Sequence, residues 1–97
     1  MLDVKVGVRV LGALRVKDNR GELGLEFESE PTVREVILRL IEVSPGLRSL
    51  LWDEVVDSPV PNALVLLNGV EVNNLEGLET RVGDGSDVVV LSVAHGG

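Results

Sequence analysis

Thr32-Val33-Arg34-Glu35-Val36-Ile37-Leu38-Arg39-Leu40-Ile41-Glu42-Val43 reads as one helix with its starting point written into it. Thr32 can accept from the backbone N–H of Glu35 while the Glu35 carboxylate reaches back to the Thr32 N–H, a T-x-x-E capping box ahead of an apolar-periodic run. Val33, Val36, Ile37 and Leu40 share one face, flanked by Ile41 and Val43, and Glu35, Arg39 and Glu42 lie opposite. Glu35 and Arg39 stand in the favourable i,i+4 order for an ion pair. Ser44-Pro45-Gly46 ends the helix. One apolar face on a single long helix asks for a sheet to cover it.

The flanking sequence supplies that sheet. On the N-terminal side Val4, Val6, Val8 and Val10 alternate with Lys5, Gly7 and Arg9, the pattern of a half-buried strand. Asp18-Asn19-Arg20-Gly21 offers turn chemistry, and Leu23, Leu25 and Phe27 then alternate with Glu22, Gly24, Glu26 and Glu28, so the two strands are expected to form an antiparallel hairpin. On the C-terminal side Leu47, Leu50, Leu51 and Val55 recur at helical spacing and predict a short helix over 47–56. Residues 57–62 contain Pro59 and Pro61, which lack backbone donors, so this stretch reads as a connection and not a central strand. Ala63 opens a continuous apolar run to Leu67, closed by Asn68-Gly69, the dipeptide suited to a type I′ hairpin turn, with Val70 and Val72 returning beside it. Residues 73–87 are polar and glycine-punctuated, with Leu75, Leu78 and Val82 as anchors. The last strand is expected over 88–93, apolar on both faces except at Ser92, and therefore either central in the sheet or presenting a docking patch. A right-handed helical crossover would lay the helix across one face of this sheet.

Composition sets the limits. The 97 residues allow one domain and one core. Apolar residues are 44% of the chain but aromatics only 2%, so Val and Leu must build the core, with Phe27 and Trp52 as the large rings. Nine basic against sixteen acidic residues give a net charge of −7, which argues against nucleic acid and anionic membranes and for a basic groove on another protein. No cysteine excludes disulfides and thiolate metal sites, and no secretion signal or membrane span is read, so a cytoplasmic protein is expected.

Catalytic constellations are poorly supported. His95 is the sole histidine, with no triad order around any serine, and it reads as an exposed tail residue that contacts a partner; no metal site is expected. Gly83-Asp84-Gly85-Ser86-Asp87 is no phosphate loop, since its aspartates repel phosphate and it precedes a strand, so it reads as a tight turn. The remaining feature is Gly96-Gly97. Two residues without a Cβ can enter a channel too narrow for side chains, which would make a terminal carboxylate the useful group. A carboxylate is a poor electrophile, so a partner would have to activate it, most simply by adenylation.

Several segments together resemble the MoaD/ThiS family of sulfur carriers, with similarity spread over the whole chain. Leu11-Gly12-Ala13-Leu14-Arg15 is similar to the small-residue and Leu-Arg segment of the molybdopterin synthase small subunit. Pro31-Thr32-Val33 opens the helix, Leu67-Asn68-Gly69 resembles a V-N-G turn, Thr80-Arg81-Val82-Gly83-Asp84-Gly85-Ser86-Asp87-Val88 resembles T-x-L-x-D-G-D-x-V, and Gly96-Gly97 follows. Ser86 replaces the second aspartate of D-G-D, and the proline pair common before G-G is missing.

The resemblance implies an α+β, ubiquitin-like β-grasp fold: a mixed sheet of four to five strands covered on one face by a helix, with a domain over 1–92 and a flexible tail over 93–97. It implies that Gly97 is adenylated and thiocarboxylated, and that Val93, Ala94, His95, Gly96 and Gly97 bind the partner. An adenylating enzyme of the ubiquitin-activating type would use ATP and Mg²⁺, with no cofactor bound by this chain. The thiocarboxylate would donate sulfur in molybdopterin (molybdenum cofactor) biosynthesis, this chain being the non-catalytic small subunit beside a large synthase subunit. The alternative is a ubiquitin-like modifier joined to lysines of target proteins through Gly97, and archaeal small modifiers and Urm-type proteins fall near this length.

Overall fold

Alternation decides the first pairing. In the computed structural model, which describes residues 2–12, 14, 21–59 and 63–92, β1 (Val4–Gly12) turns Val4, Val6, Val8 and Val10 inward. β2 (Glu22–Phe27) lies antiparallel to it, with Val4 opposite Phe27, Val6 opposite Leu25 and Val8 opposite Leu23. The hairpin is therefore as expected, while its turn at 18–20 lies outside the described residues.

α1 (Val33–Val43) starts on the capping box: Glu35 N donates to Thr32 Oγ1 at 3.2 Å, and Thr32 N donates to Glu35 Oε1 at 2.9 Å. Val33, Val36, Ile37, Leu40 and Ile41 are buried against the sheet, and Val43 is exposed. The expected Glu35–Arg39 pair is replaced by other contacts. The Glu35 carboxylate is engaged by the cap, and Arg39 turns to β2, where Nη1 donates to the Glu26 carbonyl at 2.9 Å and the guanidinium lies 4.6 Å from the Phe27 ring centroid. Thr32→Ala is expected to lower stability by about 1 kcal/mol, and Thr32→Ser to retain most of it, as read from urea unfolding midpoints.

The short helix predicted over 47–56 is cut to about half. A 3-10 turn at Pro45–Leu47 leads into α2 (Arg48–Leu51), and the chain then enters a two-stranded ribbon of β3 (Trp52–Asp53) and β4 (Ser58–Pro59). Two contacts end the helix. Trp52 is buried in the core, and Asp53 Oδ1 accepts from the backbone N–H of Val55 at 2.9 Å, a local side-chain turn that competes with helical bonding. Val55 consequently faces solvent and not the core. Pro59 sits in this ribbon, consistent with the exclusion of 57–59 from the main sheet; residues 60–62 lie outside the described set.

β5 (Ala63–Leu67) turns through Asn68 and Gly69, at φ 49° and 86°, into β6 (Val70–Glu71). β7 (Asp87–Ser92) then runs between β1, to which it is parallel, and β5, to which it is antiparallel, giving the five-stranded order β2-β1-β7-β5-β6. The mixed sheet with a helix across one face is as predicted, and β7 is central. Val88 and Val90 pack with Val6, Val8, Val10, Ile37 and Leu40 between sheet and helix. In the long connection Val82 is fully buried and Leu78 packs partly against the core, whereas Leu75 is exposed and anchors nothing. Among the described residues no helix is long and apolar enough to cross a membrane.

Candidate functional site

The predicted site residues Val93, Ala94, His95, Gly96 and Gly97 lie outside the described residues, so the structure bears on the place from which the chain continues toward them. That place is the end of β7. Ser92 is buried, opposite Gly12 of β1 on one side and Ala63 of β5 on the other. Gly12 has φ +69°, and a Cβ there would lie 2.6 Å from the Ser92 carbonyl oxygen and 3.0 Å from Leu91 Cδ1. Only a residue without a side chain lets β1 run this close to the last turn of backbone before residue 93.

The sheet face turned away from α1 is apolar around this point. With Val88, Val90 and Ser92 directed to the core, the pleat sends Val89 and Leu91 outward, beside Leu66 and Leu64 of β5 and Arg9 and Leu11 of β1. Leu64, Leu66 and Leu91 are half-buried and Leu11 is exposed, while Val89 at their centre is buried. Arg9 closes one side of the patch through a fork onto Asp87, with Nη2–Oδ2 at 2.6 Å and Nε–Oδ1 at 3.4 Å. The Asp87 hydrogen bond, and after it the Asp87 charge, raise the Arg9 pKa above its ordinary value. Sequence reading had singled out the apolar outer side of β7 but missed Leu64, Leu66 and Leu11. The available signal was the unbroken apolar run of β5, which period alone does not assign to a face.

The loop before β7 is a fastening. Asp84 Oδ1 accepts from Lys5 N at 2.8 Å, Gly85 N donates to the Lys5 carbonyl at 2.8 Å, and Gly7 N donates to the Ser86 carbonyl at 2.9 Å. Asn68 and Asp87 exchange bonds: Asn68 N donates to the Asp87 carbonyl at 2.8 Å and Asp87 N donates to Asn68 Oδ1 at 2.9 Å. Upstream, Thr80 is buried and its carbonyl accepts from Val33 N at 2.9 Å, joining the loop to the start of α1. Ser86 also donates its N–H to the Gly83 carbonyl at 3.2 Å, and its hydroxyl oxygen accepts from Asn68 Nδ2 at 3.5 Å. Gly83-Asp84-Gly85-Ser86-Asp87 is therefore the structural turn expected from its charge. Among the described residues no group of three His, Cys, Asp or Glu is placed to hold a metal ion.

No family model matches the sequence, and no curated protein is similar enough to match it. Solved structures do match. The solution structure of the small archaeal modifier protein 1 (SAMP1) from Methanosarcina acetivorans is 29% identical, with a TM-score of 0.81 over 97% of each chain. This chain has the ubiquitin-like β-grasp fold and is similar to sulfur carriers and modifiers that share it. A chain of the Amycolatopsis orientalis BexX/CysO complex is 28% identical, with a TM-score of 0.72 over 95% of this β-grasp protein and 99% of that chain. The putative molybdopterin converting factor, subunit 1, from Pyrococcus furiosus shares the fold at 20% identity and a TM-score of 0.72, covering 95% of this chain and all of that one.

Proposed function

We propose that this β-grasp protein is a sulfur carrier whose Gly97 is adenylated and then thiocarboxylated, and that it donates sulfur in molybdopterin synthesis as the non-catalytic small subunit of the synthase. The observation that supports it is the conjunction, on a fold shared with SAMP1 and a putative molybdopterin converting factor subunit, of three features. The central strand β7 ends at Ser92, an apolar face borders that end, and Val93-Ala94-His95-Gly96-Gly97 follows in sequence. Five residues span at most about 17 Å when extended, enough to enter a deep site on another protein.

The chemistry balances as two displacements. A Gly97 carboxylate oxygen attacks the α-phosphorus of ATP on an activating enzyme that supplies Mg²⁺, and pyrophosphate leaves. Hydrosulfide or an equivalent sulfur donor then attacks the acyl carbon, AMP leaves, the sulfur-bound proton goes to solvent, and the thiocarboxylate remains. This chain contributes the acyl group and the surfaces that place it. Leu11, Leu64, Leu66 and Leu91 lie against the large subunit, and residues 93–97 occupy its site.

Intact mass after incubation with the activating enzyme, ATP and sulfide tests the reading. One oxygen replaced by sulfur at Gly97 is the expected result; unchanged mass under conditions that convert a control carrier overturns it. A second reading, conjugation to lysines of target proteins, is favoured by the match to a protein described as a modifier. Gly97-to-lysine remnants in digests of native extract would establish it, and their absence beside a thiocarboxylate would leave sulfur transfer alone.

A further inference from the structure

The tip of the β3–β4 ribbon presents the two most exposed large apolar side chains among the described residues, Val55 at 93% and Val56 at 65% exposure. A solvated turn gains nothing from adjacent β-branched apolar residues. Such a conflict between local chemistry and surroundings marks positions kept for something other than folding.

The tip is also braced. Asp53 Oδ1 accepts from the N–H of Val55 at 2.9 Å and of Val56 at 3.4 Å. The indole of buried Trp52 donates to Asp57 Oδ1 at 3.1 Å, so the far side of the turn is tied to the core. Arg48 of α2 forks onto Glu54, and Arg34 of α1 donates to the Asp57 carbonyl at 3.5 Å. Asp57 holds φ +52°, a conformation a non-glycine residue keeps only where its surroundings fix it. The two valines are thus offered from a fixed frame, so little conformational entropy is lost when they are gripped.

We propose that this tip is a docking knob for the adenylating enzyme that processes residue 97, inserting Val55 and Val56 into an apolar socket with a basic rim. The inference rests on the function proposed above. The rim follows from charge: Asp53 and Asp57 flank the valines, Glu54 being paired with Arg48, on a chain of net charge −7, which disfavours anionic lipid, nucleic acid and a second copy of the same acidic surface. The need for a second grip follows from the tail, because Ala94, Gly96 and Gly97 give a partner little side chain to recognise. The ribbon is a sheet separate from the one that carries β7, so it can be held while the chain beyond Ser92 enters a nucleotide site.

The test is ATP–pyrophosphate exchange by the cognate adenylating enzyme, with carrier concentration varied, for wild type and Val55→Ser/Val56→Ser. The expected result is a KM raised about tenfold or more with kcat within about twofold, because the lost contact is uniform binding and not transition-state chemistry. The melting midpoint should be unchanged, since neither side chain is buried, and wild-type KM should rise with salt. A KM within about twofold of wild type, with wild type adenylated normally, overturns the knob and leaves the carrier function standing. A wild-type dimer dissolved by the double substitution reassigns the tip to self-association and overturns it equally. If the wild type is not adenylated at all, the function fails and the knob with it.

Discussion

Removing Gly96 and Gly97 is expected to abolish both acyl-adenylate and thiocarboxylate formation while shifting the melting midpoint by less than about 3 °C, a change under roughly 0.5 kcal/mol for a domain of this size. The separation follows from where the stabilising contacts lie. The described core runs from Val4 to Val90 and is closed by β1, β7, β5 and α1. The carbonyl proposed to react, by contrast, belongs to Gly97. Gly97→Ala discriminates more finely, because the carboxylate survives but a Cβ enters the channel that would hold it. A displacement near 1 Å at the reacting centre can cost about a hundredfold in rate, and a loss of that order in pyrophosphate exchange is expected. Circular dichroism and exchange rates on the same samples check both halves. A truncated protein that still supports sulfur transfer with purified partners would place the chemistry elsewhere on the chain.

The parts of the fold that were legible beforehand are those in which the deciding interaction is local. The alternation of Val4, Val6, Val8 and Val10, the Thr32–Glu35 box and the Asn68-Gly69 turn each carry their instruction within a few residues, and each forms as read. Segment 47–56 is not legible in this way, because Leu47, Leu50, Leu51 and Val55 satisfy helical spacing equally well whether or not the helix continues. What stops it is the burial of Trp52 and the capture of the Val55 N–H by Asp53, and neither is a periodicity. Leu75 failed as an anchor for a similar reason, since Val82 takes the buried place in that connection. Strand order was legible only in outline: placing β7 between β1 and β5 depends on contacts between residues some 80 apart, such as Gly7 with Asp87.

The site divides the same way. Its chemistry was argued from Gly96-Gly97 and its neighbours, whereas its setting came from pairing. Register brings Leu91 beside Leu11 and Leu64, and Val89 beside Leu66, so an apolar face is assembled from three strands whose residues are distant in sequence. The signature-like loop at 80–88 proved to hold strands and helix together, so its resemblance to the T-x-L-x-D-G-D-x-V pattern reports the fold and not the chemistry.

Gly12 is where fold and site meet, and Gly12→Ala should be the most damaging small substitution in the sheet. Two costs add. An alanine at φ +69° bears a left-handed penalty of about 1–2 kcal/mol, and its Cβ would stand 2.6 Å from the Ser92 carbonyl oxygen, where neither partner is a flexible side-chain end. Relieving that overlap by moving backbone costs about 1–3 kcal/mol more, so an overall loss of about 2–5 kcal/mol is expected in urea unfolding, with the m-value unchanged. Ser92 is paired on its other side with Ala63 of β5, whereas the described ladder between β1 and β2 reaches only Arg9, so the overlap strains both strand ends at the Gly12–Ser92 contact. Since residue 93 follows directly, that strain falls on the residue from which the chain continues toward Gly97. Gly12→Ala should therefore lower kcat for adenylation even at temperatures where the protein remains folded, whereas a substitution of equal stability cost remote from β7, such as Ile41→Ala, should not. Equal kcat for these two variants would make Gly12 a residue of the fold alone.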